Sequence, residues 1–409
     1  MRVYLGIDWS QDDHAACFIN ESGQIIFQLT VKHSVEGLDQ LDRARAAMGV
    51  MPEECWVGLE TAHTLVIDFL WARQYEQVFV IPPSATKSAR RRYGQSGAHT
   101  DPSDAFVIAD MVRTDQQRLI PWRPSSPLIQ QMRAKVSLLV YLTHQVTRGS
   151  NRLTAVLVRY YPAALTVFSQ PMPPLGWHFI LAYPRPAAIQ SLSFAQFETF
   201  ARQHHHRQAQ RTLLASYARL QQPQPEASEA IVQAYAAEAV LLSQQLLTLS
   251  QAKVTQLKEL GELFDQHPDA ELFRSFPGTG DFLAPALLAK CGDDRQRFPS
   301  PSGWQCLAGT CPITEESGHR RRVLFRKACD HEFRAITQQW AMASLSQSVW
   351  AATYWQQMRP HCDSSSAAYR CLANRWLAIA WRCWQDYRPY DEAYHLHQRA
   401  QRQLPRSAH

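Results

Sequence analysis

Three short apolar runs, separated by polar breaks, open this chain and constrain its fold more than any other feature. The runs VYLGIDW, HAACFIN and QIIFQLTV lie within residues 2–31, and the breaks at 10–13 and 20–23 contain turn-forming residues. Helical and strand-like segments then alternate as SVEGLDQLDRARAAM, CWVGLE, TLVIDFLWARQY and VFVIPP, with Ser34 as the first N-cap. The pattern predicts a three-stranded meander followed by alternating helices and strands.

The pattern changes after a proline-rich, polar segment at residues 121–127, which we interpret as a linker. Residues 128–161 and 226–264 carry apolar side chains at helical spacing, which predicts two long helices in a coiled-coil hairpin or a dimerising arm. Prolines from position 162 to 186 exclude a single helix between them, so we expect an irregular proline-rich insertion.

These features predict three domains, which a chain of 409 residues is long enough to form. Residues 1–122 form an α/β domain, residues 123–264 a helical arm with its insertion, and residues 265–409 a mainly helical domain. Hydrophobic residues make up 45% of the chain and charged residues 19%, which is typical of a soluble globular protein.

Cysteine usage and hydropathy exclude several classes of protein. The nine cysteines form no C-x-x-C pair, so neither a zinc ribbon nor a disulfide framework is predicted, and reduced thiols favour a cytoplasmic location. No export signal and no stretch of 18 apolar residues is present, so we expect no membrane partner.

Charge is unevenly distributed along the chain. Residues 1–122 hold 11 Lys and Arg against 16 Asp and Glu, residues 123–262 hold 13 against 6, and residues 263–409 hold 18 against 14. An acidic head that recruits cations, joined to basic surfaces that neutralise phosphates, would suit a nucleic-acid enzyme. Chance asymmetry is the alternative.

Four acidic residues lie where an RNase H-like nuclease places its metal ligands. Asp8 ends the first apolar run, Glu60 ends CWVGLE, and Asp101 and Asp104 open TDPSDAFVIADMV. In a sheet of RNase H-like order the first and fourth strands are neighbours, so Asp8 and Glu60 would lie about one strand spacing apart, ~4.8 Å. Several converging carboxylates are what two-metal phosphoryl chemistry requires.

The helix that follows would supply the other two carboxylates. Asp101 and Asp104 are three residues apart and share a helix face. Pro102 favours the first helical position, which makes Asp101 the expected N-cap. The alternative is that all four acids are structural caps and strand ends. The other acids that could take their place are Asp12, Asp13 and Asp110.

Basic residues near the quartet and a glycine pair further along are candidates for binding a nucleic-acid backbone. Lys87, Arg90, Arg91 and Arg92 precede the glycine-containing stretch YGQSGAHTD, where they could contact phosphates or form a solvated helix end. Gly278 and Gly280 separate two helical stretches, which is typical of a helix-hairpin-helix but also of a simple turn.

A serine among arginines is a candidate nucleophile for phosphodiesters. Ser317 and Gly318 are followed by His319 and five further basic residues, Arg320, Arg321, Arg322, Arg326 and Lys327. Guanidinium groups would stabilise charge on the phosphate while the serine forms a covalent phosphoserine link that preserves the energy of the bond. The alternative is a basic loop without catalytic function.

Several of these motifs together resemble the DEDD transposases of the insertion sequence 110 family, whose relatives include the pilin-gene invertases. The matching segments are GIDWSQDDHAACFIN, VGLET, HTDPSDAFVIADMVR, FPGTGDFLAPALLAKCGDDRQRFPS, LAGTCPITEESGHRRR and WLAIAWRCWQDYRPYD. They occur in the family's order and cover roughly two-thirds of the chain. The sequence departs from the family in its long proline-rich middle and in lacking the usual K-R-G-N run after Ser317.

The resemblance implies a RuvC-like DEDD domain at residues 1–122, a coiled-coil segment and a C-terminal transposase domain with a catalytic serine. The metal-binding and catalytic acids would be Asp8, Glu60, Asp101 and Asp104, with two Mg²⁺ ions, and the serine would be Ser317. It further implies donor and target DNA and a structured bridge RNA as partners, assembly as a dimer of dimers, and a bacterial, nucleoid-associated location. Sequence choice would then rest with the RNA.

Three functions are compatible with these observations. The first is an RNA-guided DNA recombinase that acts through a Ser317 intermediate. The second is a metal-dependent nuclease or junction resolvase in which Ser317 is structural, and the third is a non-catalytic nucleic-acid-binding scaffold.

Overall fold

The structure is a computed structural model that describes residues 2–61, 65–93, 100–168, 172–204, 209–318 and 320–403. The chain divides into two compact units, Met1–Pro124 and Ser125–His409. Among the described residues no helix is both long and apolar enough to cross a membrane.

The first unit contains a five-stranded sheet in the order β3-β2-β1-β4-β5. Its strands are β1 (Val3–Trp9), β2 (Asp13–Ile19), β3 (Ile25–Lys32), β4 (Cys55–Leu59) and β5 (Val78–Val80). The first three strands pair antiparallel, β4 lies parallel to β1, and β5 lies parallel to β4. The predicted meander is confirmed, and the first and fourth strands are neighbours as expected.

Helices cover both faces of this sheet. They are α1 (Val35–Ala47), α2 (Leu65–Ala72), α3 (Pro83–Ala89) and α4 (Asp101–Asp115), with short 3₁₀ turns at Pro52–Glu54 and Arg90–Arg92. Because successive strand side chains point to opposite faces, Leu5 and Ile7 pack in one core with α1 and α2, whereas Tyr4 packs in a second core with α4. The first unit is therefore an α/β domain of three layers.

The second unit is mostly helical, as predicted. In chain order its elements are α5 (Pro127–Tyr160), α6 (Pro162–Val167), α7 (Pro174–Ala182), α8 (Ala187–Gln190), α9 (Phe194–Gln203), α10 (Gln210–Leu220), α11 (Glu229–Asp265), α12 (Ala270–Arg274), α13 (Gly280–Cys291), a 3₁₀ turn at Arg295–Arg297, α14 (Ser302–Leu307), β6 (Ile313–Ser317), β7 (Arg320–Leu324), α15 (His331–Ser344), α16 (Val349–Met358), a 3₁₀ turn at Arg359–His361, α17 (Ser365–Gln385) and α18 (Glu392–Gln403).

The two long predicted helices are α5 and α11, and they pack against each other. Lys135 near the start of α5 pairs with Glu259 near the end of α11. Further along α5, Arg152 Nε donates to Glu238 Oε1 at 2.6 Å. The pairing is therefore antiparallel.

The expectation of an irregular insertion between these two helices is wrong. The helices α6 to α10 lie there and share a hydrophobic core that includes Trp177, Phe179 and Phe197. Pro162 and Pro174 each occupy the first turn of a helix, where a missing N–H breaks no hydrogen bond. As predicted, no single helix spans this segment, but it folds into several short helices, two of which begin with these prolines.

The last part of the second unit packs around four fully buried tryptophans, Trp304, Trp340, Trp376 and Trp384. The same region contains a two-stranded antiparallel hairpin formed by β6 and β7, whose residues are mostly exposed. The hairpin was not predicted from the sequence.

Candidate active site

Two glycines allow α4 to lie directly on the sheet. Gly6 of β1 is in register with Gly58 of β4. A Cβ atom on Gly6 would lie 1.9 Å from the carbonyl oxygen of Ala105, and one on Gly58 would lie 2.6 Å from Cγ2 of Val112. The helix backbone therefore contacts the strands where any larger residue would hold it away.

Each of these glycines is followed two positions later by an acid of the quartet. Residues two apart on a strand share a face, so Asp8 faces α4 as Gly6 does. Glu60 comes directly after Leu59, the last residue of β4, which pairs with Ile7. As predicted, Asp8 and Glu60 lie at the neighbouring ends of parallel strands.

The first turn of α4 holds the other two acids. Thr100 is the N-cap, and its N–H donates to Ser103 Oγ at 2.9 Å, so Asp101 is the first helical residue and Pro102 the second. The expectation that Asp101 itself caps the helix is wrong by one residue. Asp104 is buried, with 6% of its surface exposed, whereas Asp101 is exposed.

The four acids act on one another electrostatically. The pKa of Asp8 is raised to about 6, first because burial disfavours the charged carboxylate and then because Asp104, Glu60 and Asp101 add negative charge nearby. The guanidinium of Arg90 partly offsets this effect. Three separate segments of the sequence thus bring their carboxylates to one end of the sheet.

Arg90 is the counterion of Asp104. Its Nε and Nη2 atoms donate to the two carboxylate oxygens of Asp104, each at 2.6 Å. A buried carboxylate needs such a partner. The sequence did not reveal this contact, because the two residues are 14 positions apart on different elements. Lys87, Arg91 and Arg92 are exposed beside it.

The acids considered as alternatives occupy other places. Asp110 is buried on α4, where it accepts hydrogen bonds from Tyr93 Oη and from Arg113 Nε. Burial and the contact with Asp110 raise the pKa of Tyr93 to about 12. Asp12 lies in the turn between β1 and β2, Asp13 is the first residue of β2, and both are exposed.

The chemistry of the quartet fits a divalent cation. Hard cations such as Mg²⁺ prefer carboxylate oxygens, and the repulsion that raises the pKa of Asp8 is one that a bound cation would relieve. In the described part of the chain, no three His, Cys, Asp or Glu side chains are already arranged as a metal site.

Ser317 lies at the end of the β6–β7 hairpin. Ser317 pairs with Arg320, Glu316 with Arg321, and Glu315 with Arg322. Gly318 follows Ser317 with φ +56°, a conformation that favours glycine, and has open space around it. His319 lies outside the described residues. The serine and its neighbouring arginines are exposed, so a large polyanion could reach them.

The base of the hairpin is fixed by arginines. The guanidinium carbons of Arg334 and Arg370 lie 4.5 and 4.6 Å from the ring centroid of Phe325, directly after β7. The carbonyl of Arg326 accepts a hydrogen bond from Arg334, and Lys327 is exposed. These contacts hold the end of the hairpin that lies away from Ser317.

The glycine pair between α12 and α13 has two different environments. The Gly278 N–H donates to Gln347 Oε1 at 2.8 Å, and a Cβ atom there would lie 2.6 Å from the backbone of α15. Gly278 therefore serves packing, and its amide is already occupied. Gly280 has φ +52°, and no atom from outside its own helix lies within 4 Å of the position that a Cβ atom would take.

Comparisons with known proteins agree with this arrangement. A DEDD transposase model of IS110 elements matches residues 5–162, and a model described as transposase of the IS116/IS110/IS902 family matches residues 270–356. The chain is 29% identical over 405 residues to the "Mini-circle putative transposase for IS117" of Streptomyces coelicolor, covering 96% of each chain. It is 24% identical to the IS900 42 kDa protein of Mycobacterium paratuberculosis, covering 96% of this chain and 98% of that protein.

A third relative is the IS116 44.8 kDa protein of Streptomyces clavuligerus, 24% identical with 96% of this chain and 97% of that protein covered. The two family models together span more than half of the chain and include both the carboxylate quartet and the serine hairpin. The chain belongs to the IS110 family of transposases.

Proposed function

We propose that this transposase is a Mg²⁺-dependent DNA recombinase that exchanges strands through a covalent phosphoserine intermediate. The observation that carries the proposal is geometric: Asp8 near the end of β1 and Glu60 directly after the parallel β4 lie beside α4, whose first turn holds Asp101 and Asp104. Although Arg90 compensates Asp104, burial and the three neighbouring acids still raise the pKa of Asp8 to about 6, and perturbed carboxyl groups of this kind cluster at functional sites.

Asp8, Glu60, Asp101 and Asp104 would hold the metal. Bound there, Mg²⁺ supplies Lewis-acid stabilisation of the charge that develops on the phosphate oxygens. Arg90 would leave Asp104 when the cation binds, and its guanidinium would then be free to contact a DNA phosphate. Lys87, Arg91 and Arg92 would bind the backbone on either side.

Ser317 would be the nucleophile. Its Oγ forms a bond to phosphorus while one P–O bond of the DNA backbone breaks, the hydroxyl proton passes to a base, and the departing sugar oxygen takes up a proton. The number of phosphodiester bonds is conserved, so attack by another DNA hydroxyl reverses the step and joins a new strand. Three arginines of β7 pair with Ser317 and the two residues before it on β6; they are Arg320, Arg321 and Arg322. Their guanidinium groups would stabilise the negative charge that develops on the phosphate oxygens.

The family resemblance supports the remaining parts of the proposal. A structured bridge RNA would select donor and target DNA by base pairing, and the protein would bind backbone and shape. The antiparallel pair α5–α11 would act as a coiled coil in a dimer of dimers. Gly280, Arg326 and Lys327 would add backbone contacts in the C-terminal region.

Covalent capture tests the serine. Purified protein, together with the RNA that copurifies with it, is incubated with cognate DNA and Mg²⁺, denatured, and run on a gel that separates free from protein-linked DNA. We expect an adduct with wild type and with Thr314→Ala, an exposed change on the same strand, and none with Ser317→Ala. DNA cleavage without any adduct in the wild type would favour the metal-dependent nuclease instead.

The carboxylate quartet and the bridge RNA are tested by separate experiments. Asp8→Asn that leaves strand exchange intact would favour a non-catalytic quartet. RNA that copurifies with the expressed protein and sequences to one structured species would support the bridge RNA, whereas a random mixture of cellular RNA would contradict it.

A further inference from the structure

A cleft between α16, α17 and α18 has the composition of a nucleic-acid site, and it lies outside both groups of residues described above. Its volume is about 910 Å³, within the ~300–1,000 Å³ range of pockets that enclose organic ligands. Aromatic and arginine side chains both line its walls, among them Tyr354, Trp381, Arg388, Tyr394 and Arg399.

The aromatic residues of the cleft are held in place. Trp381 Nε1 donates to the carbonyl of Phe298 at 2.8 Å, which fixes the plane of its indole ring. Trp350 and Tyr354 stack with their ring centroids 5.8 Å apart. Tyr394 is 45% exposed and lines the opening. Trp350 is buried and supports Tyr354 from behind, whereas Tyr354, Trp381 and Tyr394 are at least partly exposed. Partly exposed rings of this kind provide stacking surfaces for bases.

Glu392 connects the two helices α16 and α18, which form two walls of the cleft, by hydrogen bonds. Its carboxylate accepts hydrogen bonds from the backbone N–H of Trp350 at 3.0 Å, from Ser348 Oγ at 2.9 Å and from Tyr390 Oη at 2.6 Å. The start of α18 is thereby fastened to the start of α16. The cleft therefore exists before any ligand binds, which reduces the cost of ordering it.

The charge of the cleft favours an anion. Four arginines and two aspartates line it. Arg382 pairs with Asp386 at 2.7 Å, and Asp391 accepts the Tyr394 N–H at the start of α18. Within the described residues, Arg375, Arg388 and Arg399 have no ion pair. Arg388 and Arg399 instead lie over aromatic rings, 4.3 Å from Tyr394 and 5.7 Å from Trp350.

We propose that this cleft binds a single-stranded segment of nucleic acid, with unpaired bases stacked on its aromatic side chains and phosphates held by Arg375, Arg388 and Arg399. Duplexes hide their base faces, so rings recessed in a cleft cannot stack on them, whereas every unpaired base offers a face. The cleft contains neither Ser317 nor any acid of the quartet. Loss of single-strand binding by the cleft can therefore be measured separately from loss of strand exchange.

Binding to the full-length protein tests the proposal. Fluorescence anisotropy is measured with short labelled RNA, DNA and duplex DNA of one sequence, over a range of salt concentrations. We expect Tyr394→Ala to weaken single-strand binding about fivefold or more, the effect of losing one stacked base. Arg388→Gln should reduce the slope of log K against log salt by about 0.7, the value for one single-strand phosphate contact.

Matched controls separate the cleft from general electrostatic binding. Tyr141→Ala on α5 removes an exposed tyrosine, and Arg211→Gln on α10 removes an exposed arginine, and neither lines the cleft. Both should bind like wild type, and all four variants should keep the wild-type melting temperature. If Tyr394→Ala and Arg388→Gln bind single strands as tightly as these controls, or if duplex binding falls equally, the cleft is not a single-strand site.

Photo-cross-linking locates the ligand directly. A single strand that carries a thio-substituted pyrimidine should cross-link to peptides within residues 350–399, and Tyr394→Ala should reduce the yield. Preference for RNA over DNA assigns the cleft to a guide-RNA segment, and preference for DNA assigns it to a displaced strand. Cross-links confined to other peptides would overturn the proposal.

Discussion

Gly6 and Gly58 face each other across β1 and β4, and each precedes an acid of the quartet by two residues. The glycines bring the backbone of α4 onto the sheet, and the acids then meet the first turn of that helix. Close helix packing and the convergence of carboxylates are consequences of the same G-x-[D/E] pattern in both strands.

The Gly6→Ala substitution should destabilise the first unit. The added methyl group would lie 1.9 Å from a helix carbonyl, so α4 must move, and overpacking of this kind costs about 1–3 kcal/mol. Thermal or urea unfolding measures the loss. Gly261→Ala on α11 is the control, since nothing lies within 4 Å of its Cβ position, and it should be neutral or stabilising. An equal change in the free energy of unfolding for Gly6→Ala and Gly261→Ala would show that α4 does not pack tightly on Gly6.

Metal-free Asp8→Asn should be more stable than wild type at neutral pH. The folded-state pKa of Asp8 is raised to about 6 from 3.8, so the folded form holds its proton more tightly than the unfolded form. Its ionisation therefore lowers the free energy of unfolding as pH rises from about 4 to 6, and the cost persists above that range. Melting curves at pH 4 and pH 7.5, with chelator present, measure it.

The advantage of Asp8→Asn should vanish near pH 4. Asp12→Asn, a change at an exposed acid on the neighbouring turn, should show no such pH dependence. A larger advantage at pH 4 than at pH 7.5 would contradict the assigned sign.

Arg90→Gln should make the first unit dependent on divalent cations. The substitution leaves the buried Asp104 carboxylate without its bidentate partner, which costs about 1–3 kcal/mol in the metal-free protein. Mg²⁺ should then raise the melting temperature of the variant more than that of wild type, because the cation no longer competes with a guanidinium. Arg91→Gln, exposed one residue away, is the control, and an equal response in both variants would argue against the role of Arg90.

Mixing two inactive variants should reveal whether the quartet and the serine act in the same subunit. Asp8→Asn and Ser317→Ala, each inactive alone, are combined and assayed for strand exchange. Restored activity on mixing indicates that one subunit contributes the acids and another the serine, because no single chain in the mixture carries both. Ser317→Ala mixed with Asp104→Asn should give the same result as Ser317→Ala mixed with Asp8→Asn. Asp8→Asn mixed with Asp104→Asn should stay inactive, because neither chain carries a complete quartet.

Local patterns were sufficient to predict the sheet and the positions of its acids. Period-two alternation in residues 2–31 and the ends of the apolar runs placed Asp8 and Glu60 correctly at adjacent strand ends. The pairing of Arg90 with Asp104 depends on how α4 returns to the sheet, so no spacing in the sequence reveals it. The paired glycines were visible in VYLGIDW and CWVGLE, and the pattern could have predicted the close helix.

The second unit was harder to predict for physical reasons. Both strands of the serine hairpin, ITEES and RRRVL, are exposed along most of their length, so they carry no alternation of apolar and polar residues. The helices of the proline-rich insertion are 4 to 11 residues long, too short for a clear period. Their stability comes from a shared core around Phe179, which only the folded chain reveals.

The antiparallel helices α5 and α11 contribute to two separate hydrophobic cores. Leu139 of α5 belongs to the core of the C-terminal helices, whereas Leu153 belongs to the core of the proline-rich insertion. A helix rises 1.5 Å per residue, so the 34 residues of α5 span about 50 Å. The lengths of α5 and α11 therefore set the distance between the two hydrophobic cores. Matched seven-residue deletions from both helices would bring the two cores about 10 Å closer while nearly preserving which faces meet.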